Sequence, residues 1–149
     1  GLNKVLDYGS YQTEIYDYCN LQIGYSDDAV ETFDFPKNHM DYGSNIAAYY
    51  FWVFPNMMFN FYPWGLSINI VKPIDINTTK ISFLSYVYDK NKLYKGAGND
   101  LDKVEREDEL VVENVHKGVR SSFYKAGRFS PTRELGVHHF HRLLAQFLQ

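Results

Sequence analysis

The chain has 149 residues, about one domain, and its 45% apolar content is enough for a packed core, which excludes wholesale disorder. Its 15 basic and 18 acidic residues are mixed along the chain and leave a net charge of −3, so no basic stripe supports nucleic-acid binding, and no apolar run reaches the roughly 18 residues that a membrane span needs. The single cysteine, Cys19, excludes an internal disulfide and any CxxC site and makes a reducing, cytoplasmic setting the expectation.

The first half reads as strands. Residues 11–18 alternate Thr13, Ile15 and Asp17 with Glu14, Tyr16 and Tyr18, a period-2 pattern. Residues 26–44, with Asp27-Asp28, Pro36 and Tyr42-Gly43-Ser44, read as loop. Residues 47–54 are almost all aromatic or β-branched, and Met57–Tyr62 follows a Pro55-Asn56 turn. Residues 66–71 follow Pro63-Trp64-Gly65, and 80–88 follow the polar turn 75–79. Turns this short predict an antiparallel meander. Gly96-Ala97-Gly98 then breaks the pattern, and Asn99 or Asp100 is suited to cap a helix. From Leu101 onward Val104, Val111, Val112, Val115 and Val119 fall at helical spacing, with Gly118 weakening the helix late. After a loop over 126–133, residues 134–149 place Val137, Phe140, Leu143, Leu144, Phe147 and Leu148 as a second amphipathic helix. Strands followed by helices predict an α+β fold with helices on one face of an antiparallel sheet.

Asp108 is the residue out of place. At 100° per residue it shares a stripe with Val104, Val111, Val112 and Val115, whereas Glu105, Arg106, Glu107 and Glu109 are free to meet water. A carboxylate facing a core must be paired, protonated or bound to a metal. Two roles stay open for it: a boundary carboxylate paired with Lys, Arg or Tyr, or a metal ligand or general base. His138, His139 and His141 lie together on the last helix, with His138 and His141 on one face, but a closed metal site there wants further donors. His116 sits among charges, and His39 lies in a loop. No GxSxG, GxGxxG, P-loop or HExxH motif occurs, and Cys19 has no local base, so a nucleophile triad has no support. The 17% aromatic content suits either the walls of a ligand cavity or a plain aromatic core.

Several segments in order carry a family resemblance. They are Tyr49-Tyr50-Phe51-Trp52-Val53-Phe54-Pro55-Asn56, Asn60-Phe61-Tyr62-Pro63-Trp64-Gly65 and the helix Val104-Glu105-Arg106-Glu107-Asp108-Glu109-Leu110-Val111-Val112-Glu113. Gly118-Val119-Arg120-Ser121 follows, then Ser130-Pro131-Thr132-Arg133-Glu134 running into Gly136-Val137-His138-His139-Phe140-His141. Together they resemble the large-subunit catalytic domain of Rieske-type non-haem iron oxygenases. The branch is the one that holds choline, carnitine and glycine-betaine monooxygenases beside aromatic-ring hydroxylases. The resemblance implies a helix-grip, START-like sheet wrapping a C-terminal helix over a cavity. It implies a mononuclear Fe(II) held by two histidines and one carboxylate, with Asp108 at the carboxylate's position.

It also implies a Rieske 2Fe-2S cluster on a separate domain, an NADH-dependent reductase or ferredoxin as electron donor, O₂ and a small-molecule substrate as reactants, and a homotrimeric parent. The family's two histidines come as His-x4-His, a spacing that occurs nowhere in this sequence. The expectation is therefore a partial domain, beginning just past that segment, that holds no stoichiometric iron alone. Asn60, between Phe59 and Phe61, and Asn69, between Ile68 and Ile70, are candidate polar contacts in a substrate pocket, or else amides that satisfy backbone at a sheet edge. The aromatics suit a cation–π cage for a quaternary ammonium, and equally a flat ring. The rival reading is a metal-free helix-grip module that binds hydrophobic ligands.

Overall fold

A computed structural model describes residues 9, 11–26, 31–93 and 99–149, with side chains for all of these except 99–105 and 107. Six strands make one antiparallel sheet in chain order: β1 (Gln12–Ile15), β2 (Cys19–Tyr25), β3 (Ile46–Val53), β4 (Met57–Tyr62), β5 (Gly65–Pro73) and β6 (Thr79–Val87). The last four match the aromatic and β-branched runs to within two residues at each end. Short turns at 54–56, 63–64 and 74–78 separate them, which forces neighbours in sequence to pair as neighbours in space. The predicted break at Gly96-Ala97-Gly98, the capping side chains of Asn99 and Asp100 and the Val104 side chain lie outside the described residues.

One element differs from the expectation. Residues 11–18 do not form a single strand: the chain turns at Asp17-Tyr18, with the Tyr16 N–H donating to the Cys19 carbonyl at 2.8 Å, and returns as β2. This strand has its own alternation, Leu21 and Ile23 against Asn20 and Gln22, and it separates the two faces of the sheet.

On one face Leu21, Ile23 and Ile46 form the buried core. A bulge between Gly24 and Tyr25 lets Ile46 pair with Tyr25 and join that face. The irregular segment after residue 31 covers it. Phe33 stacks on Phe35 at 5.4 Å and packs on Tyr49 at 5.5 Å, while the Phe33 N–H donates to the Ile46 carbonyl at 2.8 Å. Tyr49 Oη in turn donates to Asp41 Oδ2 at 2.7 Å.

Burial, and then the hydrogen bond to the Asp41 carboxylate, raise the Tyr49 phenol above its ordinary value of 10. The folded chain therefore keeps this proton at pH values where the unfolded chain has lost it. The associated stability is complete below pH 10 and falls as pH rises above it. Tyr49→Phe is expected to cost about 1 kcal/mol at neutral pH and to flatten the loss of stability between about pH 9 and pH 11. Urea midpoints measured across that range check this, and equal slopes for variant and wild type would contradict it.

Two helices follow the sheet, α1 (Asn99–Gly118) and α2 (Leu135–Phe147), completing an α+β fold. α1 stops at the glycine expected to weaken it. α2 lies on the face of the sheet opposite the core. Phe140 meets Trp52 edge to face at 5.1 Å, Phe147 meets Phe54 at 5.1 Å, and Leu143 is buried. These residues recur at intervals of three, four and seven, one stripe of a helix. Among the described residues no helix is long and apolar enough to cross a membrane.

Candidate functional site

The face under α2 is polar and aromatic in alternation. Asn20 and Gln22 pair with Trp52 and Tyr50 on β3, these pair with Met58 and Asn60 on β4, and those pair with Asn69 and Ser67 on β5. One parity of four strands thus brings residues as far apart in sequence as Asn20 and Asn69 onto one surface. α2 approaches it closely at its first turn. A Cβ on Gly136 would lie 3.1 Å from Asn20 Oδ1, so the glycine permits the contact.

Beyond that contact the helix and the sheet leave a cavity of about 290 Å³, near the lower end of the roughly 300–1,000 Å³ typical of small-molecule sites. Tyr50, Trp52, Met58, Val137 and Phe140 give its apolar wall, and Asn20, Gln22 and Asn60 its amides. None of the described residues lining it carries a charge.

Among the described residues the polar groups are only partly satisfied. Gln22 Oε1 accepts from Tyr11 Oη at 3.0 Å, which leaves its amide nitrogen as the remaining donor. Trp52 Nε1 is buried with no hydrogen-bond partner among the described residues. Asn20 is 4% exposed and holds its place under Gly136.

Of the sequence candidates, Asn60 lines this cavity. Asn69 shares its face one strand further on, half-buried, and accepts from Ser67 Oγ at 3.3 Å. Asp108 lies elsewhere. It is exposed on α1, as are Val111, Val112 and Val115, which are 56–60% exposed, and Val119 just past the helix is exposed too. The expectation that this stripe packs in a core is thus not met in this chain. An amphipathic pattern specifies a face but not what covers it, and here the end of α1 is held to the sheet through Arg120. Its guanidinium donates to Asn77 Oδ1 at 2.7 Å and to the Ile76 carbonyl at 2.6 Å in the β5–β6 turn.

The histidines do not gather either. His138 and His141 both pack edge-on against Phe129, at 5.1 and 5.3 Å, and His39 stacks on Phe35 at 4.5 Å. Among the described residues no three His, Cys, Asp or Glu side chains come together. The described donors therefore do not fit a metal ion by themselves, since iron or zinc needs several converging ligands.

Asn20, Gln22, Trp52, Gly136 and Phe140 were not singled out from the sequence as site residues. The alternation within 19–25 and a glycine inside an otherwise apolar helical stripe were the available signals.

The chain matches the family model for the ring hydroxylating alpha subunit (catalytic domain) over residues 29–149. It is 29% identical to the chloroplastic choline monooxygenase of Beta vulgaris, over 97% of this chain and 32% of that protein. Identity to the choline monooxygenase of Arabidopsis thaliana is 32%, over 97% of this chain and 33% of that protein. The oxygenase subunit of carnitine monooxygenase from Escherichia coli K12 is 28% identical, over 98% of this chain and 41% of that protein. The chain thus spans about a third of the length of the choline monooxygenases it matches. The crystal structure of a quaternary ammonium Rieske monooxygenase with a bound inhibitor superposes with a TM-score of 0.74 at 22% identity, over 99% of this chain and 41% of that one, so the two share a fold. These relatives are named for choline, carnitine and quaternary ammonium compounds, so none of them supports a role in the breakdown of aromatic compounds.

Proposed function

The chain belongs to the ring-hydroxylating alpha-subunit catalytic-domain family, and from that premise we propose that it supplies the substrate cavity of an oxygenase acting on a small quaternary ammonium compound. The observation that carries this reading is the uncharged, aromatic-walled cavity between α2 and the sheet. A quaternary ammonium has no N–H to donate, so it gains nothing specific from a carboxylate's hydrogen-bonding geometry and is well held by the faces of Tyr50, Trp52 and Phe140. The amides of Asn20, Gln22 and Asn60 fix its orientation.

In this reading Asp108 is one carboxylate ligand of a mononuclear Fe(II), and the other ligands come from outside the described residues. The iron would supply O₂ activation, with electrons from NADH arriving through a reductase or ferredoxin and a Rieske cluster elsewhere in the same protein. The assembly is a homotrimer, and the compartment is the cytoplasm. Asn69, on the cavity's face of the sheet, borders the substrate through its contact with Ser67.

Oxygen uptake and product formation by the full-length protein with its reductase test this, using choline, carnitine, betaine and a set of arenes. Uptake that depends on a quaternary ammonium is the expected result. Product from an arene alone would overturn it. A metal-free carrier of hydrophobic ligands would use the same cavity. It differs in that it would bind its ligand without consuming oxygen and would be indifferent to Asp108.

A further inference from the structure

We infer that Arg120 is a positioning residue, which sets the angle at which α1 stands to the sheet and, through it, the place of Asp108. This rests on the reading that Asp108 serves the reaction, and adds what holds it in place. The described side chains of α1 are all exposed, those of Val111, Val112 and Val115 among them. Packing among the described residues therefore does not orient this part of the helix, and directional bonds are left to do so. Arg120 supplies two. Its Nη1 donates to Asn77 Oδ1 at 2.7 Å and its Nη2 to the Ile76 carbonyl at 2.6 Å. A planar fork with both prongs engaged fixes an angle as well as a distance, which a point charge cannot do.

Both ends of this clasp are stiff. On the helix side the Val119 N–H donates to the Val115 carbonyl at 2.9 Å and the Ser121 N–H to the Gly118 carbonyl at 3.0 Å, so the backbone that carries Arg120 runs on from the helix without a gap. On the sheet side the turn over 74–78 is closed by the Ile74 N–H on the Thr78 carbonyl at 2.9 Å and by the Asn77 N–H on Asp75 Oδ1 at 2.7 Å. Asp108 precedes Gly118, the last residue of α1, by ten residues, about 15 Å of helix. A swing of about 10° at the clasp thus carries the carboxylate about 3 Å, where a misplacement of about 1 Å can cost about a hundredfold in rate. Bonds made in exchange for water add little to stability, so the clasp contributes geometry rather than folding energy.

Spin labels on the 149-residue chain, at Lys72→Cys in β5 and Glu113→Cys in α1 with Cys19→Ser, report the distance between sheet and helix. A single narrow distribution is expected. Arg120→Ala should broaden it, Arg120→Lys should broaden it less, and Asn77→Ala added to Arg120→Ala should change nothing further. The urea midpoint should stay where it was. In the full-length protein Arg120→Ala should lower kcat at least about tenfold, and Arg120→Lys should recover part of that. KM for the quaternary ammonium that drives oxygen uptake should change by less than about twofold, because none of the described residues lining the cavity belongs to α1. An unchanged distribution in Arg120→Ala overturns the assignment, as does a broadened one with kcat intact. A fallen urea midpoint with Arg120→Lys no better than Arg120→Ala overturns it too, since the residue would then act on folding alone. Failure of the underlying reading looks different: Asp108→Ala would keep its turnover, while the labels would still report whether Arg120 holds the helix.

Discussion

Replacing Asp108 with alanine in the full-length protein is expected to abolish turnover while leaving the visible absorption of a Rieske cluster unchanged. The carboxylate is exposed on α1 and has no partner within the described site, so its removal leaves no buried charge unpaired and opens no core. A loss of folding is therefore not the expected outcome. Groups that merely orient a metal ligand are worth about 10–100-fold, so removal of a direct ligand should cost at least about a hundredfold in kcat/KM. Asp108→Asn should fare little better, because an amide is a weaker, uncharged ligand. Retained turnover in Asp108→Ala would falsify the assignment and return Asp108 to an ordinary solvated carboxylate.

A second large effect is expected at Gly65, on stability. This residue opens β5 after the Pro63-Trp64 turn, pairs with Tyr62 on one side and Val87 on the other, and has φ of +153°. A Cβ there would sit 2.1 Å from the backbone carbonyl oxygen of Tyr86. No rotamer change relieves that contact, because both partners are backbone. Gly65→Ala should cost on the order of 3 kcal/mol or more, a large fraction of the 5–15 kcal/mol that holds a typical domain folded. The damage should begin in the β5–β6 pairing. Urea denaturation measures it directly, and a change below about 1 kcal/mol would mean that the strands shift apart at little cost. Gly136→Ala is milder by the same reasoning, since it meets only the end of the Asn20 side chain at 3.1 Å.

Much of the fold was legible because the information was local. Runs such as Ala48-Tyr49-Tyr50-Phe51-Trp52-Val53 cannot be mistaken for loop, and Pro55-Asn56 and Pro63-Trp64-Gly65 fix where they end. β2 was missed because its face toward α2 is polar. Asn20 and Gln22 read as turn or surface residues until a cavity is known to lie above them. Asn60 was legible because aromatics flank it.

The rest of the cavity was not, because it is assembled by register. Trp52 stands beside Asn20 and Met58 only once three strands are paired, and no single strand's sequence states that pairing. Asp108 was singled out by its place on an apolar stripe and by family resemblance. The stripe was read correctly as amphipathic, but it is exposed here, because helical periodicity carries no information about the partner that buries it.

This chain is expected to give an iron site one carboxylate, with the remaining ligands outside its described residues. Metal analysis tests this most directly, on the full-length protein, its Asp108→Ala variant and the 149-residue chain, each purified anaerobically with added Fe(II). The full-length protein should hold a mononuclear iron beyond that of its cluster, Asp108→Ala should lose it, and the 149-residue chain should hold none in stoichiometric amount, since a lone carboxylate competes poorly with water for a divalent ion. One tightly held iron per 149-residue chain would contradict the account and turn attention to His138, His139 and His141 as ligands.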